Sequence, residues 1–348
     1  MQNELNKETI IEKLRTVMDP ELNRDLVSLN MIEDVIVENG NVSLSVVLTT
    51  PACPLKNHIQ NDVRSAIAQL EGVNDIKINM TANVPQDRII KDKGNISAKN
   101  IIAISSGKGG VGKSTVAVNI AVALSNSGSK VGLMDADIYG PNIPTMMGLN
   151  ALPQPKDGKL IPAEAFGVEV ISIGFLVKDG QPLIWRGPLL HSTIKQFIED
   201  VKWGSLDYLV VDLPPGTGDV QLSLSQHIPV TCGVVVTTPQ QVSVDDASRG
   251  IEMFQKLNIP IAGVVENMGG LELPDGTTIE IFGSGGGEDM ANKYNLNFLG
   301  RIPLDPDIRI CGDSGVPIVI SSPNAKVSMI FNSIAGKIAS YISQLVLK

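Results

Sequence analysis

Cysteine is scarce in this chain of 348 residues: Cys53, Cys232 and Cys311 are its only three, too few and too scattered for a disulfide framework. Positive charge is short as well. Lys and Arg number 28 against 37 Asp and Glu, and a net charge of −9 argues against sequence-independent nucleic-acid binding, which needs a basic stripe to displace counterions. No stretch offers roughly 18 consecutive apolar residues, so a membrane-spanning helix is not expected. The N-terminal "MQNELNKETI" has neither the basic and apolar regions of a signal peptide nor the Arg-rich character of a transit peptide, so a cytoplasmic protein is expected. Internal repeats and low-complexity tracts are absent too. What remains is 43% apolar and 19% charged, an ordinary globular composition with ample core, long enough for one large domain or a large one plus a small one.

The chain changes texture along its length. Ile10, Ile11, Leu14, Val17 and Met18 fall at helical spacing, and Asp19-Pro20 should end that helix. "MIEDVIVENGNVSLSVVLTT" reads as two strands around an Asn39-Gly40 hairpin turn. Leu55, Ile59, Val63, Ala66, Ile67 and Leu70 mark a second helix closed by Gly72, and "VNDIKINM" is a third strand. This is a small α+β domain over residues 1–84, of about 80 residues and so large enough to fold independently. The polar stretch 85–99 is expected to be a linker. From residue 100 to 348, β-branched apolar runs at 100–104, 130–135, 168–173, 207–212, 232–238, 260–266 and 298–302 alternate with helical patterns. That is the pattern of an α/β domain with a mostly parallel sheet and helices on both faces. Val327, Ile330, Ile334, Ile338 and Ile342 form one stripe of a closing helix. Only Lys326, Lys337 and Lys348 could give it a cationic face, so core packing is the better reading than membrane binding.

Residues 105–115 read "SSGKGGVGKST" and contain the phosphate-loop pattern G-x-x-x-x-G-K-S/T from Gly107 to Ser114. It lies after the strand "NIIAISS" and before the helical "STVAVNIAVALSNSG". Glycines let backbone amides curl around phosphate oxygens while the helix N-terminus adds a favourable dipole. Gly107, Lys108, Gly109, Gly110, Val111, Gly112, Lys113, Ser114 and Thr115 are therefore the expected triphosphate cradle, with Lys113 bridging the outer phosphates and the Ser114 hydroxyl on Mg²⁺. Acids stand at two further strand ends, where ligands bind in open α/β sheets: Asp135 and Asp137 in "VGLMDADIYGPNIP", and Asp212 in "LDYLVVDLPPGTGD". An acid there is the expected partner of the metal. Lys108, a second lysine inside the loop, is more than a phosphate loop needs.

"KGGVGKST", "DADIYGPNIPTMMG" and "DYLVVDLPPGTGD" resemble the deviant phosphate-loop ATPases of the MinD, ParA and nitrogenase-iron-protein superfamily. Within it, "PPGTGD", "TTPQ", "VVENMGG", "IFGSGGG" and "IPLDPDIRICGDSGVP" resemble the Mrp/ApbC family of iron–sulfur cluster carriers. The N-terminal "DPELNRDLVSLNMI" and "TTPACP" are similar to the small domain of SufT- and PaaD-like assembly proteins. The resemblance covers nearly the whole chain. It implies ATP hydrolysis in a face-to-face homodimer, with Lys108 reaching the partner's phosphates as an arginine finger does. It further implies that Asp137 orients or deprotonates the attacking water and that Asp135 supports it and the metal. Asp212 would hold Mg²⁺ through water, the Gly216 region would sense the γ-phosphate, and Asn267 would read adenine unless it is an ordinary strand-end turn residue. Implied partners are iron–sulfur scaffold proteins and recipient apoproteins.

Cluster carriers need thiolates, and many members of that family have a C-x-x-C pair after "ENM", two pairs holding a [4Fe–4S] cluster across the dimer. Here Leu273 and Gly276 stand at or near those positions, and the chain contains no C-x-x-C. Cys53, just before a helix, is expected to have a lowered thiol pKa and to be a cluster ligand, or else a half-buried structural thiol. Cys311, in "RICGDSG", is expected to be accessible and is the second candidate. Cys232 begins a strand and reads as core. His58 could assist Cys53; His191 and His227 have no metal-site spacing. Three functions follow: an ATP-dependent cluster carrier, a cargo-free adaptor ATPase of cluster assembly, or a MinD/ParA-like positioning ATPase.

Overall fold

A computed structural model describes residues 5–93, 97–176, 193, 196–198, 200–216 and 228–347. The chain divides into two compact units: residues 1–85 with 339–348, and residues 86–338.

In the first unit, the Asn6 side chain accepts from the Thr9 amide and starts helix α1 (Lys7–Leu14). That helix stops four residues earlier than its apolar spacing suggests, and Met18 already pairs with Asp25 in a short two-stranded ladder. Strands β1 (Ile32–Glu38) and β2 (Asn41–Leu48) are joined through Asn39 and Gly40, both at positive φ, the geometry of a two-residue turn that matches strand twist. Helix α2 (Lys56–Ala68) then crosses over to β3 (Asp75–Ala82), which pairs parallel to β2. Ile10, Leu14, Val46, Ile59, Val63 and Ile67 are among the side chains sealed between the helices and the sheet.

The second unit begins inside the stretch expected as linker. Asp87 caps a short helix, Arg88–Lys93, and that helix buries Ile90. Strand β4 (Ala98–Ser106) leads into helix α3 (Lys113–Asn126), and β5 (Val131–Asp135) follows. Next come β6 (Ala163–Ala165), β7 (Val168–Ser172), β8 (Leu206–Asp212) and β9 (Cys232–Thr237). Helix α4 (Gln241–Lys256), β10 (Ile261–Glu266), helix α5 (Gly286–Lys293), β11 (Phe298–Arg301) and helix α6 (Pro306–Ser314) complete the frame, and α7 (Lys326–Val346) closes the chain. The eight strands form one sheet in the order β11-β10-β9-β4-β8-β5-β7-β6, parallel throughout except for the β6–β7 edge pair. Near-continuous burial of β4, β5, β8, β9 and β10 reflects helical cover. Up to the boundary at residue 338, helix α7 seats Val327, Phe331, Ile334 and Ile338 in the interior of this unit. Among the described residues no helix is long and apolar enough to cross a membrane.

Parallel register has one functional consequence. Asp212 pairs with Asp135, Val236 with Ser106, Thr237 with Glu266 and Glu266 with Arg301, so every one of these strands ends at the same rim of the sheet.

Candidate nucleotide site

The buried strand β4 delivers the loop Gly107–Gly112 to that rim. Gly107 packs so closely on the backbone of Asp246 in α4 that a Cβ would collide with it. Gly112 sits at φ 80 against the Asn267 amide, a left-handed conformation at a close approach that glycine alone meets without strain. Val116 N then donates to Gly112 O, and α3 runs away from the loop with its N-terminus open toward it.

Lys113 is the first residue of α3 and is only 5% exposed. Its Nζ lies 2.7 Å from Asp212 Oδ1 and 3.3 Å from Asp137 Oδ2, and the Ser114 hydroxyl donates to the other Asp212 oxygen. Burial alone would lower the Lys113 pKa, but Asp212 and Asp137 outweigh it, so the ammonium is held charged above its usual range. Asp135 is fully buried behind them. Its carboxylate accepts from the Ser172 hydroxyl (2.8 Å) and from the amides of Asp137 (3.1 Å) and Ile143 (3.3 Å). Asp135 thereby fixes the turn that aims Asp137, and the Asp137 carboxylate in turn accepts from Tyr139 N. Burial, with Asp212 adding to it, pushes the Asp135 carboxyl up to about 8; burial also raises Asp212 against the pull of Lys113 and Ser114.

The carboxyls of Asp137 and Asp212 thus share one ammonium beside a hydroxyl, with the Asp135 carboxyl buried behind them. Hard oxygen donors in that number suit Mg²⁺, which takes one or two protein oxygens and completes its shell with water and phosphate. Among the described residues no group of three or more His, Cys, Asp or Glu side chains is arranged to hold a metal. The raised Asp135 has a measurable consequence. Its folded pKa exceeds the unfolded value, so the stability it contributes is complete below about pH 4 and is lost as pH rises toward 8. Thermal melts of nucleotide-free protein should therefore fall across that window, and Asp135→Asn should flatten the slope whatever it does to the absolute melting temperature. A slope unchanged by the substitution would refute this assignment.

Two contiguous clefts adjoin the loop. One, of about 320 Å³, is lined by Lys108–Gly110, Lys113, Ser114, Asp137 and Tyr139. Lys108 is half-exposed there, and among the described residues no ion pair engages its ammonium. The second, of about 310 Å³, shares Gly112 and Thr115 with the first and is walled by Asn267, Met268, Pro303, Leu304, Ile308 and Arg309. Asn267 donates through Nδ2 to Val111 O (2.8 Å), so it holds the phosphate loop as well as lining this cleft. Gly216 N donates to Ser106 O, which ties the start of the Pro/Gly loop to the end of β4. The rest of that loop from Thr217, and His191 and His227, lie outside the described residues.

The cysteines depart from expectation. Cys53 is half-buried against the core of the first unit, and burial, aided by the negative charges of Glu21 and Asp19, pushes its thiol up to about 11 rather than down. Desolvation and two carboxylates outweigh the helix start and the Leu55 amide. Cys311 is not accessible: it is 8% exposed on α6, its sulfur 3.0 Å from the Ser321 hydroxyl. Cys232 is fully buried in β9, where burial raises its thiol pKa steeply. All three are free thiols. His58 is on the exposed face of α2, 3.3 Å from Asp62.

The walls of the second cleft, and the Glu266–Arg301 ion pair next to them, carry no expectation from the residues alone. Pro303, Leu304 and Ile308 lie in "IPLDPDIRICGDSGVP", whose resemblance to the carrier family implies no role for them. Glu266 carried a usable signal, an acid ending an apolar strand; Ser172 carried none.

The family model described as "NUBPL iron-transfer P-loop NTPase" matches residues 97–339, and one described as "Iron-sulfur cluster assembly protein" matches residues 7–80. An iron–sulfur cluster carrier protein of Synechocystis is 49% identical over 352 aligned positions, covering 99% of each chain. One from Deinococcus radiodurans is 48% identical, covering 97% of this chain and 95% of its own. A nucleotide-binding protein of Archaeoglobus fulgidus solved with ADP superposes with a TM-score of 0.57 at 37% identity, covering 66% of this chain and 91% of its own. The MinD cell division protein of Aquifex aeolicus, 24% identical with a TM-score of 0.51 over 68% of this chain and 94% of its own, shares the fold.

Proposed function

The chain belongs to the family of NUBPL iron-transfer P-loop NTPases, and from that membership we propose that it is a cytoplasmic, homodimeric ATPase that carries iron–sulfur clusters, [4Fe–4S] among them, from scaffold proteins to apoproteins. The observation that carries the ATPase half is the convergence of Lys113, Ser114, Asp137 and Asp212 on one cleft beside the glycine loop. Backbone amides from Gly109 to Thr115 would cradle the phosphates, with Lys113 turning from its carboxylates to the outer phosphates. Ser114 and Asp212 would hold Mg²⁺, which when bound screens charge on the transferring phosphoryl group. Asp137 would orient and deprotonate the attacking water, and Asp135, one layer further in, keeps Asp137 aimed. The second cleft would take the adenine, with Asn267 at its inner wall.

The carrier half rests on relatives named for that role along their full length. With no C-x-x-C, the cargo must use thiols pooled from two subunits or supplied by a partner. Cys53 is the better candidate, since Cys311 must first leave Ser321. Anaerobic reconstitution with iron and sulfide tests this. The expected result is cluster absorbance on the wild type, lost in Cys53→Ala and kept in Cys232→Ala. A wild type that takes up neither iron nor sulfide, with Cys53→Ala and Cys311→Ala both silent in cells, would replace the carrier by the cargo-free adaptor.

A further inference from the structure

The glycine run "IFGSGGG", residues 281–287, leads into the first turn of α5 and takes no part in the nucleotide or cluster roles proposed. Its structural partner is Glu266, the last residue of β10 and the neighbour of Asn267. Glu266 is fully buried, yet every part of its carboxylate is engaged. Oε1 accepts from Arg301 Nε and, at 3.3 Å, from Gly285 N; Oε2 accepts from Gly287 N at 2.7 Å. The glycine run is thus folded around a carboxylate of its own chain. A Cβ on Gly287 would press on the Glu266 side chain, so the nest closes because that position is bare.

Position makes this more than a core ion pair. Glu266 and Arg301 face each other in register as the final rung between β10 and β11. Immediately beyond it the two chains continue side by side, Gly269 N donating to Ile302 O and Leu304 N to Gly270 O. These are the two walls of the second cleft: Asn267 and Met268 on one side, Pro303 and Leu304 on the other. The Arg301 stem also lies where a Cβ on Gly269 would be, and Met268 is held in the left-handed region at φ 58. A strained backbone of that kind persists only where its surroundings over-determine it. Glu288 touches the outer face of Arg301 at 3.2 Å, exposed and at the rim.

We infer that Glu266 is a positioning residue for nucleoside recognition, latching the glycine run and Arg301 so that the walls of the base cleft stand at the right separation. This rests on the reading of the second cleft as the adenine site. A latch on the base walls acts on the nucleoside part of the ligand and leaves the phosphate part alone. Equilibrium binding to the full-length protein separates them, with ADP and inorganic tripolyphosphate as the two probes and no demand for turnover or for a cluster.

Glu266→Gln keeps the shape but turns an NH₂ toward donors, and should weaken ADP binding by tenfold or more while tripolyphosphate affinity moves less than twofold. Because a buried change can unfold a protein, Arg301→Ala provides the second arm on a half-exposed side chain and should show the same split, with Arg301→Lys partly restoring ADP affinity. Glu288→Gln should leave both probes unchanged. Equal losses for ADP and tripolyphosphate in a folded Arg301→Ala protein, or no loss for either, would overturn the inference. Should wild type bind tripolyphosphate but not ADP, the base-site reading itself has failed, a result distinct from a failed latch.

Discussion

Lys113→Ala should weaken nucleotide binding about a hundredfold or more and, in the same protein, lower its stability most at neutral pH. Both effects come from one buried ammonium. In the nucleotide-free protein Lys113 neutralises Asp212 at 2.7 Å and Asp137 at 3.3 Å, and its side chain is 5% exposed, so solvent screens the pair little. Removing one partner of a buried ion pair strands the other, at a cost of about 3–5 kcal/mol. If Lys113 also meets the outer phosphates, its removal should weaken ATP by a similar amount, about a hundred- to a thousandfold or more. The pH dependence has a definite sign. Burial already raises Asp212, and losing Lys113 raises it further, so its folded pKa lies above its unfolded one. Stability is then complete below about pH 4 and is lost as pH rises. The deficit of Lys113→Ala against wild type should therefore be small near pH 4 and largest near neutrality. Titration calorimetry with ATP and melts across that range measure the two halves. A variant as stable as wild type at neutral pH would show that Lys113 is not the counterion of Asp212, and one that binds ATP normally would remove the loop from the nucleotide site.

Much of this arrangement was legible in the residues because it rests on local chemistry. Asn39-Gly40 can be joined in few ways between two alternating strands, and the hairpin stands there. The long apolar runs of β4, β8, β9 and β10 had nowhere to lie except inside a parallel sheet, and the loop after β4 had a motif of fixed spacing. What failed to show was whatever depends on partners distant in sequence. The helix-start argument for Cys53 saw the dipole but not the burial of the thiol, nor Glu21 and Asp19, which approach through the fold. Cys311 looked like a loop thiol among glycines, yet Asp305 caps a helix there that turns it inward to Ser321. The 85–99 stretch is polar enough for a linker, but Asp87 caps a helix and Ile90 finds a core. Ser172 reaches Asp135 only because β7 pairs with β5, a register no local pattern encodes. Glu266 and Arg301 meet for the same reason, 35 positions apart.

The two lysines of the loop differ in one respect that bears on assembly. Lys113 is neutralised within its own subunit, whereas Lys108 is half-exposed at the phosphate cleft and, among the described residues, has no ion-pair partner. A half-exposed cation at the rim of that cleft is within reach of a second copy's ligand if two subunits meet there. Lys108→Ala should leave ATP affinity within about twofold and cut turnover by about a thousandfold, the scale of a charge supplied in trans to a transferring phosphoryl group. Mixing variants decides whether the action crosses subunits. In a heterodimer of Lys108→Ala with Asp137→Ala, the first chain keeps its own Asp137 and meets an intact Lys108 from its partner, while the second site has lost both. Random pairing makes half the dimers mixed with one working site each, so the mixture should recover about a quarter of wild-type turnover if the dimer is a closed two-fold pair. If Lys108 served its own subunit, neither site in any dimer would be complete and the mixture would stay as inactive as its parts. Recovery would make hydrolysis a report of subunit closure. It would also direct the search for cluster-binding thiols to surfaces that two copies share, because Cys53, Cys232 and Cys311 are each single in one chain.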